Sequence, residues 1–258
     1  MGDNDYGFVV IHIPHSSVEI PEEYRKDFVI SQKEIDREVR RMTDSYCHDL
    51  FDAVGFDNMI IASISRLVCD VERFRDDKLE YNARFGHGLM YTRTSTGKKM
   101  REKDNELRER ILEKIYDPHH LKLTNAVKKA LEKYGKCLII DGHSFNSDRI
   151  VKFDNIFSMP DFDIGTDSFH TPETVSGALY EQIKKMGYRP RFNSPYGGAI
   201  TPMEYYNKDA RVASIMIEVN RKLYMNEKTM EKTADFEKTR KACHELMYKA
   251  ADASKNAL

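Results

Sequence analysis

Two short stretches bring together residue types that do hydrolytic or metal chemistry. The first is Cys137 to Asn146, CLIIDGHSFN. Cys137 to Ile140 reads as a short buried strand, and Asp141-Gly142-His143-Ser144 follows it directly. Ligands of open α/β sheets collect just beyond the carboxyl ends of strands, so an acid, a flexible joint, an imidazole and a hydroxyl fall where chemistry is expected. The second is Phe8 to Ile13, FVVIHI, which ends on Pro14-His15-Ser16-Ser17. Two strands that each end on His-Ser suggest two imidazoles converging at one sheet edge, as a zinc or similar metal site needs. The proline before His15 restricts the chain and points the ring out of the edge. The competing interpretation is that both histidines cap turns. His12, within the strand, reads by alternation as a core histidine.

A third apolar run, Val212 to Val219, carries Glu218 near its carboxyl end. A carboxylate there is costly to bury without a purpose. Beside a metal-acidified water it can accept a proton and pass it to a leaving amine, the work of a general base. The alternative is an ion pair with Arg221 or Arg73 that merely closes the strand. Ser16 and Ser144 lack a G-x-S-x-G elbow, which argues against a serine nucleophile. Cys47, Cys69, Cys137 and Cys243 are far apart with no CxxC pairing. Neither a thiolate zinc cage nor a disulfide framework is expected, and a reduced cytoplasmic setting fits.

The elements that must position these residues alternate along the chain. After the first strand, Ser31-x-x-Glu34 forms a capping box, and Ile35, Val39, Met42, Tyr46, Leu50 and Ala53 predict one helix that stops at Gly55. Asn58 to Ile64 reads as a strand running into Asp70-Val71-Glu72-Arg73. Phe74 to Gly97 mixes charge, glycine and aromatics and is expected to be an excursion outside the core. Helices follow over Lys99 to Ile115 and His120 to Lys133, broken at Asp117-Pro118. Beyond the organising strand come a polar loop, Asn146 to Asp154, then Asn155 to Met159 and FDIGTD. Thr171-Pro172-Glu173 opens a helix to Met186. Tyr188 to Phe192 reads as a strand leading into the turn-rich Asn193 to Gly198, and a charged helix over about Glu227 to Ala250 closes the chain.

This alternation predicts an α/β layered fold, expected as one domain over residues 1–258. With 258 residues, 40% hydrophobic and 32% charged, the chain can bury a large core. A formal net charge of -1 argues against a nucleic-acid binder. No basic apolar leader and no run of about 18 apolar residues occurs, so no membrane association is expected. The expected partner is a small-molecule substrate.

HIPHSS-x-x-IP, TDSY-x-x-x-L, SR-x-x-x-DVER, YDPHH-x-x-L, DGHSF, MPDFDIGTDSF, NSPYGGAIT and IEVNRKLYM occur in that order. Together they resemble the N-formylglutamate amidohydrolase family, a branch related to zinc-dependent exopeptidases and muramoyl-alanine amidases. The resemblance runs from about His12 to Met225. It implies a three-layer α/β/α fold around a central mixed sheet, a catalytic divalent metal, zinc by preference, and hydrolysis of the amide of an N-acyl acidic amino acid. The leading substrate is N-formyl-L-glutamate, giving formate and glutamate. The alternatives are another N-acyl amino acid, a peptidoglycan-type amide, or a carboxylate-binding relative without catalysis.

The resemblance assigns His15, Asp44 and His143 to the metal and Glu218 to catalysis. On a continuous helix Asp44 falls opposite the apolar stripe, so its assignment rests on the resemblance alone. Arg73 and Arg221, with Arg66 as a third possibility, are expected to grip substrate carboxylates. Asp70 is expected to orient one of these arginines, Ser144 to touch substrate, and Asn193, Gly197 and Gly198 to form a loop that approaches a ligand closely. His120 also matches the pattern, though a helix N-terminus accounts for it. Two positions depart from the family's usual residues: Ser17 replaces glycine after the first His-Ser, and Glu72 stands within DVER where DVNR is usual.

Overall fold

The computed structural model describes residues 6–147, 159–255 and 257. The expected polar loop and the apolar run after it fall largely on residues 148–158, outside the described residues. The elements in chain order are β1 (Val9–Ile13), α1 (Glu22–Arg25), α2 (Gln32–Met42), α3 (Cys47–Leu50), β2 (Met59–Ile61), α4 (Asn105–Ile111), α5 (Asp117–Tyr134), β3 (Cys137–Phe145), β4 (Phe162–Gly165), α6 (Glu173–Lys185), β5 (Pro190–Phe192), β6 (Val212–Asn220), β7 (Met225–Asn226), β8 (Glu231–Lys232) and α7 (Phe236–Lys255). They form two compact units. One comprises residues 1–13, 46–60 and 123–258, the other residues 14–45 and 61–122. Among the described residues, no helix is long and apolar enough to cross a membrane.

The first unit is built on a six-stranded sheet of order β2-β1-β3-β6-β4-β5. β3 pairs in parallel with β1 and β6, while β4 runs antiparallel to β6. All nine residues of β3 and all nine of β6 are buried, which is why these strands read as apolar runs rather than as alternating patterns. Leu138, Ile140, Ile215 and Ile217 share a core with Leu50 of α3, Leu179 of α6 and Leu246 of α7. Val10, Cys137, Ile139 and Val212 face Leu123, Val127 and Ala130 of α5 instead. A mixed sheet between helical layers is therefore present, as expected.

β3 does not stop at Ile140. It runs on through Phe145, with His143 opposite Glu218 and Phe145 opposite Asn220. Of the polar residues in this extension, His143 faces a polar neighbour, while Asp141 and Ser144 lie opposite Met216 and Val219. Gly142 permits this passage: a Cβ there would lie 2.7 Å from both Ile13 Cδ1 and Phe51 Cδ2.

The second unit has its own core of Ile20, Tyr24, Phe28, Leu67, Val68, Val71, Leu89, Tyr91, Met100, Leu107 and Ile111, among others. Three expectations are corrected within or next to it. The helix expected from Ser31 to Gly55 ends at Met42, and Thr43 is already extended. Tyr46 then adopts a left-handed φ of 66° before α3 begins. The stretch Phe74 to Gly97 is no mere excursion, because Leu89 and Tyr91 are buried core residues. Asp117-Pro118 does not break a helix either. A π turn over Leu112–Tyr116 links α4 to α5, and Pro118 falls in the first turn of α5, where a missing N–H is tolerated.

Replacing Gly142 by alanine should lower stability by about 1–3 kcal/mol, because a tightly packed strand is overfilled. Gly177, in α6 with open space around it, is the control: its alanine variant should be neutral or slightly stabilising. Urea denaturation midpoints of the two variants, measured side by side, check this.

Candidate functional site

His15 follows the end of β1 and is buried, 2% exposed. Its carbonyl accepts the Asp44 N–H at 2.9 Å, which places the residue just past the end of α2 beside it. His15 Nε2 lies 2.8 Å from Asp70 Oδ1. Asp70 is fully buried. It accepts hydrogen bonds from Arg66 Nη2 at 2.7 Å, Tyr91 Oη at 2.6 Å and the Glu72 N–H at 3.1 Å, with Arg73 Nε at 3.5 Å. Burial alone would raise the pKa of this carboxyl, but Arg66, Arg73 and His15 outweigh burial and hold it well below the usual carboxylate range. An ionised Asp70 can only accept, so His15 carries a proton on Nε2. Nδ1 is the nitrogen left for another partner, and it faces Glu72 Oε2 at 3.5 Å and Asp44 Oδ2 at 3.8 Å.

The sheet unit contains a second arrangement of the same kind. Asp141 is fully buried in β3. Its Oδ1 meets His12 Nδ1 at 2.8 Å and His143 Nε2 at 3.2 Å, and its Oδ2 accepts the Ile200 N–H at 3.3 Å. Burial opposes its ionisation, yet the two imidazoles overcome burial and keep the carboxyl well below its usual range. Each of the two expected ligand histidines therefore presents Nε2 to a buried aspartate. Partners of this kind orient metal-binding imidazoles and raise their basicity. His12 is a buried, paired histidine, in keeping with its assignment to the core.

Glu218 sits on β6 between His143 of β3 and Asp163 of β4, in register with both. It is 5% exposed. An imidazole and two carboxyls thus form one row across the sheet. Burial pushes the Asp163 carboxyl up to about 7, against hydrogen bonds that favour its charge. The Ser194 and Ile164 N–H groups supply those bonds; the Ser194 and Tyr196 N–H groups each lie 2.9 Å from the carboxyl, so Asp163 fastens the loop after β5. The same loop passes over Gly165, where a Cβ would lie 2.3 Å from the Gly198 carbonyl oxygen. Gly198 itself has a φ of 93°, which favours glycine.

The remaining expected residues take definite positions. Arg221 is buried and donates from Nε to Ser144 Oγ at 3.1 Å and from Nη1 to Asn146 Oδ1, tying the end of β3 to the segment after β6. Asn193 is exposed and exchanges two 2.9 Å hydrogen bonds with Thr166, which gives it a loop-holding contact. Gly197 is exposed in the same loop. Arg66 and Arg73 both face Asp70, so Asp70 serves two arginines and a histidine instead of a single arginine. His120 Nε2 meets the Val71 carbonyl at 2.8 Å, a helix-to-turn tie. Sequence reasoning assigned no role to Asp141, Asp163 or Tyr91. Asp141 was visible as an acid delivered beside His143 or as a turn former, Asp163 lay within the MPDFDIGTDSF pattern without a role, and Tyr91 lay in the stretch expected to be an excursion.

Because Asp163 titrates higher folded than unfolded, the stability it contributes is full below about pH 4 and is lost as pH rises toward about 7. Asp163→Asn should abolish that slope. Melting temperatures of the two proteins from pH 4 to 8 should show the wild type losing ground to the variant as pH rises. Parallel curves would rule out a raised carboxyl.

Three comparisons bear on this arrangement. Residues 8–225 match the family model described as N-formylglutamate amidohydrolase. An N-formylglutamate deformylase of Pseudomonas putida is 26% identical over 230 residues, covering 85% of this chain and 82% of the relative. The crystal structure of an N-formylglutamate amidohydrolase from Ralstonia eutropha JMP134 superimposes with a TM-score of 0.83 at 22% identity, covering 97% of this chain and 95% of that one. A gene product of Agrobacterium tumefaciens gives 0.67 at 19% identity, with 98% and 94% covered.

Proposed function

This chain belongs to the N-formylglutamate amidohydrolase family, and from that premise we propose that it hydrolyses N-formyl-L-glutamate to formate and glutamate. The observation that carries the proposal is the buried row of His143, Glu218 and Asp163 within a chain that matches the family over most of its length. Structural carboxylates are seldom left in such a row without a chemical role.

The donor chemistry suits a divalent metal. Each expected ligand histidine has Nε2 against a buried aspartate, which leaves Nδ1 as the coordinating nitrogen. His15, Asp44 and His143 are proposed as ligands, with zinc the leading ion. When bound, the ion would acidify water and polarise the acyl carbonyl. Glu218 accepts the proton of the attacking water and returns it to the amide nitrogen as the C–N bond breaks. Asp163, protonated in part near neutrality, lies opposite Glu218 in the sheet and places less negative charge there than an ionised carboxylate would. Asp70 and Asp141 hold the imidazole tautomers. Arg73 and Arg221 are proposed to engage the carboxylates of the amino acid, for which a guanidinium offers bidentate geometry. The four cysteines are buried and form no disulfide, which fits the proposed cytoplasmic setting.

Purified protein supplied with zinc should release formate from N-formyl-L-glutamate faster than from N-acetyl-L-glutamate or N-formyl-L-leucine. Absence of formate release from any N-acyl amino acid would sink the proposal. Glu218→Gln should lower kcat by about 10²–10⁴-fold while leaving zinc content unchanged, measured by formate release beside elemental analysis.

A further inference from the structure

We propose that Glu72 is a metal ligand of this protein, donating its carboxylate beside His15 Nδ1; the inference rests on the metal reading above and assigns a residue that reading does not include. Glu72 is the position at which DVER departs from the usual DVNR, so the family pattern does not supply this role.

The geometry lies wholly within the second unit. Asp70 Oδ1 is shared: it accepts from His15 Nε2 at 2.8 Å and from the Glu72 N–H at 3.1 Å. One buried oxygen therefore fixes both the imidazole plane and the backbone from which the Glu72 side chain departs. With Nε2 and the Glu72 amide both turned toward Asp70, the opposite edge of the ring meets Glu72 Oε2 at 3.5 Å. Asp44 Oδ2 approaches the same nitrogen at 3.8 Å. The side chain of Asp44 is 4% exposed and that of Glu72 is 16% exposed.

Charge argues the same way. Arg66 and Arg73 lie against Asp70, with Arg66 at 2.7 Å, and their charges also reach Asp44 and Glu72. Two further carboxylates converging on one imidazole nitrogen repel each other, and a divalent cation among them would relieve that repulsion. A nitrogen with two carboxylate oxygens around one point is a hard-to-borderline donor set that suits zinc and its divalent neighbours. Glu72 is the better placed of the two carboxylates, because Asp70 fixes both its backbone and the ring it faces.

The test is zinc binding by the full chain after chelator treatment, read as metal per chain and as affinity in competition with a chromophoric chelator. Wild type should take up about one zinc. Glu72→Gln should bind more than about 100-fold more weakly, exceeding the 10–100-fold cost of losing a hydrogen-bond partner to a ligand, for which Asp70→Asn is the reference. Glu72→Asp, which keeps the charge on a shorter arm, should fall between Glu72→Gln and wild type, and it answers the question if the glutamine variant fails to fold. Melting of the metal-free proteins identifies such a failure. Cobalt in place of zinc should show an altered visible absorption spectrum in Glu72→Gln. Wild-type affinity in a folded Glu72→Gln overturns the assignment while leaving the metal reading intact. A wild-type protein that takes up no zinc overturns the metal reading, and this assignment with it.

Discussion

Burying aspartate against histidine is the interaction on which the candidate chemistry depends. Asp70 and Asp141 are both fully buried, and each would be expelled or neutralised without partners. Asp70 is held ionised by two arginines and a tyrosine hydroxyl, Asp141 by two imidazoles. Because both are charged acceptors, the histidine facing each must present an N–H, and the tautomer follows. The local fold serves this requirement. The segment around Tyr91 brings its hydroxyl to Asp70, and the loop before β6 brings the Ile200 amide to Asp141.

Much of this was legible from residue types and order. The apolar runs located β1, β3 and β6, and strands buried on both faces read that way because they alternate with nothing polar until their ends. The capping box at Ser31 and Glu34 is present with both hydrogen bonds. Periodicity failed where a backbone change intervened. The pattern from Ile35 to Ala53 continues on paper, but the chain leaves the helix at Thr43 and crosses a left-handed Tyr46. For that reason Asp44 is buried instead of lying on a solvated face. Hydrophobic spacing carries no information about such a break when the residues after it happen to keep the same phase.

The other gaps have a common cause. Asp141 and Asp163 matter through what lies beside them across the sheet, and cross-strand register is a property of pairing that no local window contains. Tyr91 matters through a contact 21 residues away in sequence. The short β4, only four residues, is too brief for a periodic signal, yet its antiparallel course sets Asp163 beside Glu218. Tertiary pairing converts two acids 55 positions apart into neighbours.

The π turn over Leu112–Tyr116 has a bearing on how this chain could vary. A π turn accommodates one residue more than an α-helix of equal length, and it preserves the phase of everything on either side. Deleting a single residue there would restore regular α-helix and leave the downstream face in place, whereas deleting one from α4 would rotate that face by about 100°. After a deletion in α4, the Tyr116 hydroxyl, now 2.8 Å from the Arg73 carbonyl, and His120, tied to the Val71 carbonyl, would both turn away from the segment that carries Asp70 and Glu72. That one-residue surplus is therefore the place where this helix can change length by one without losing those contacts. Other length changes in this helix rotate everything beyond them, whereas the exposed segment from Asp76 to Lys78 carries no such constraint.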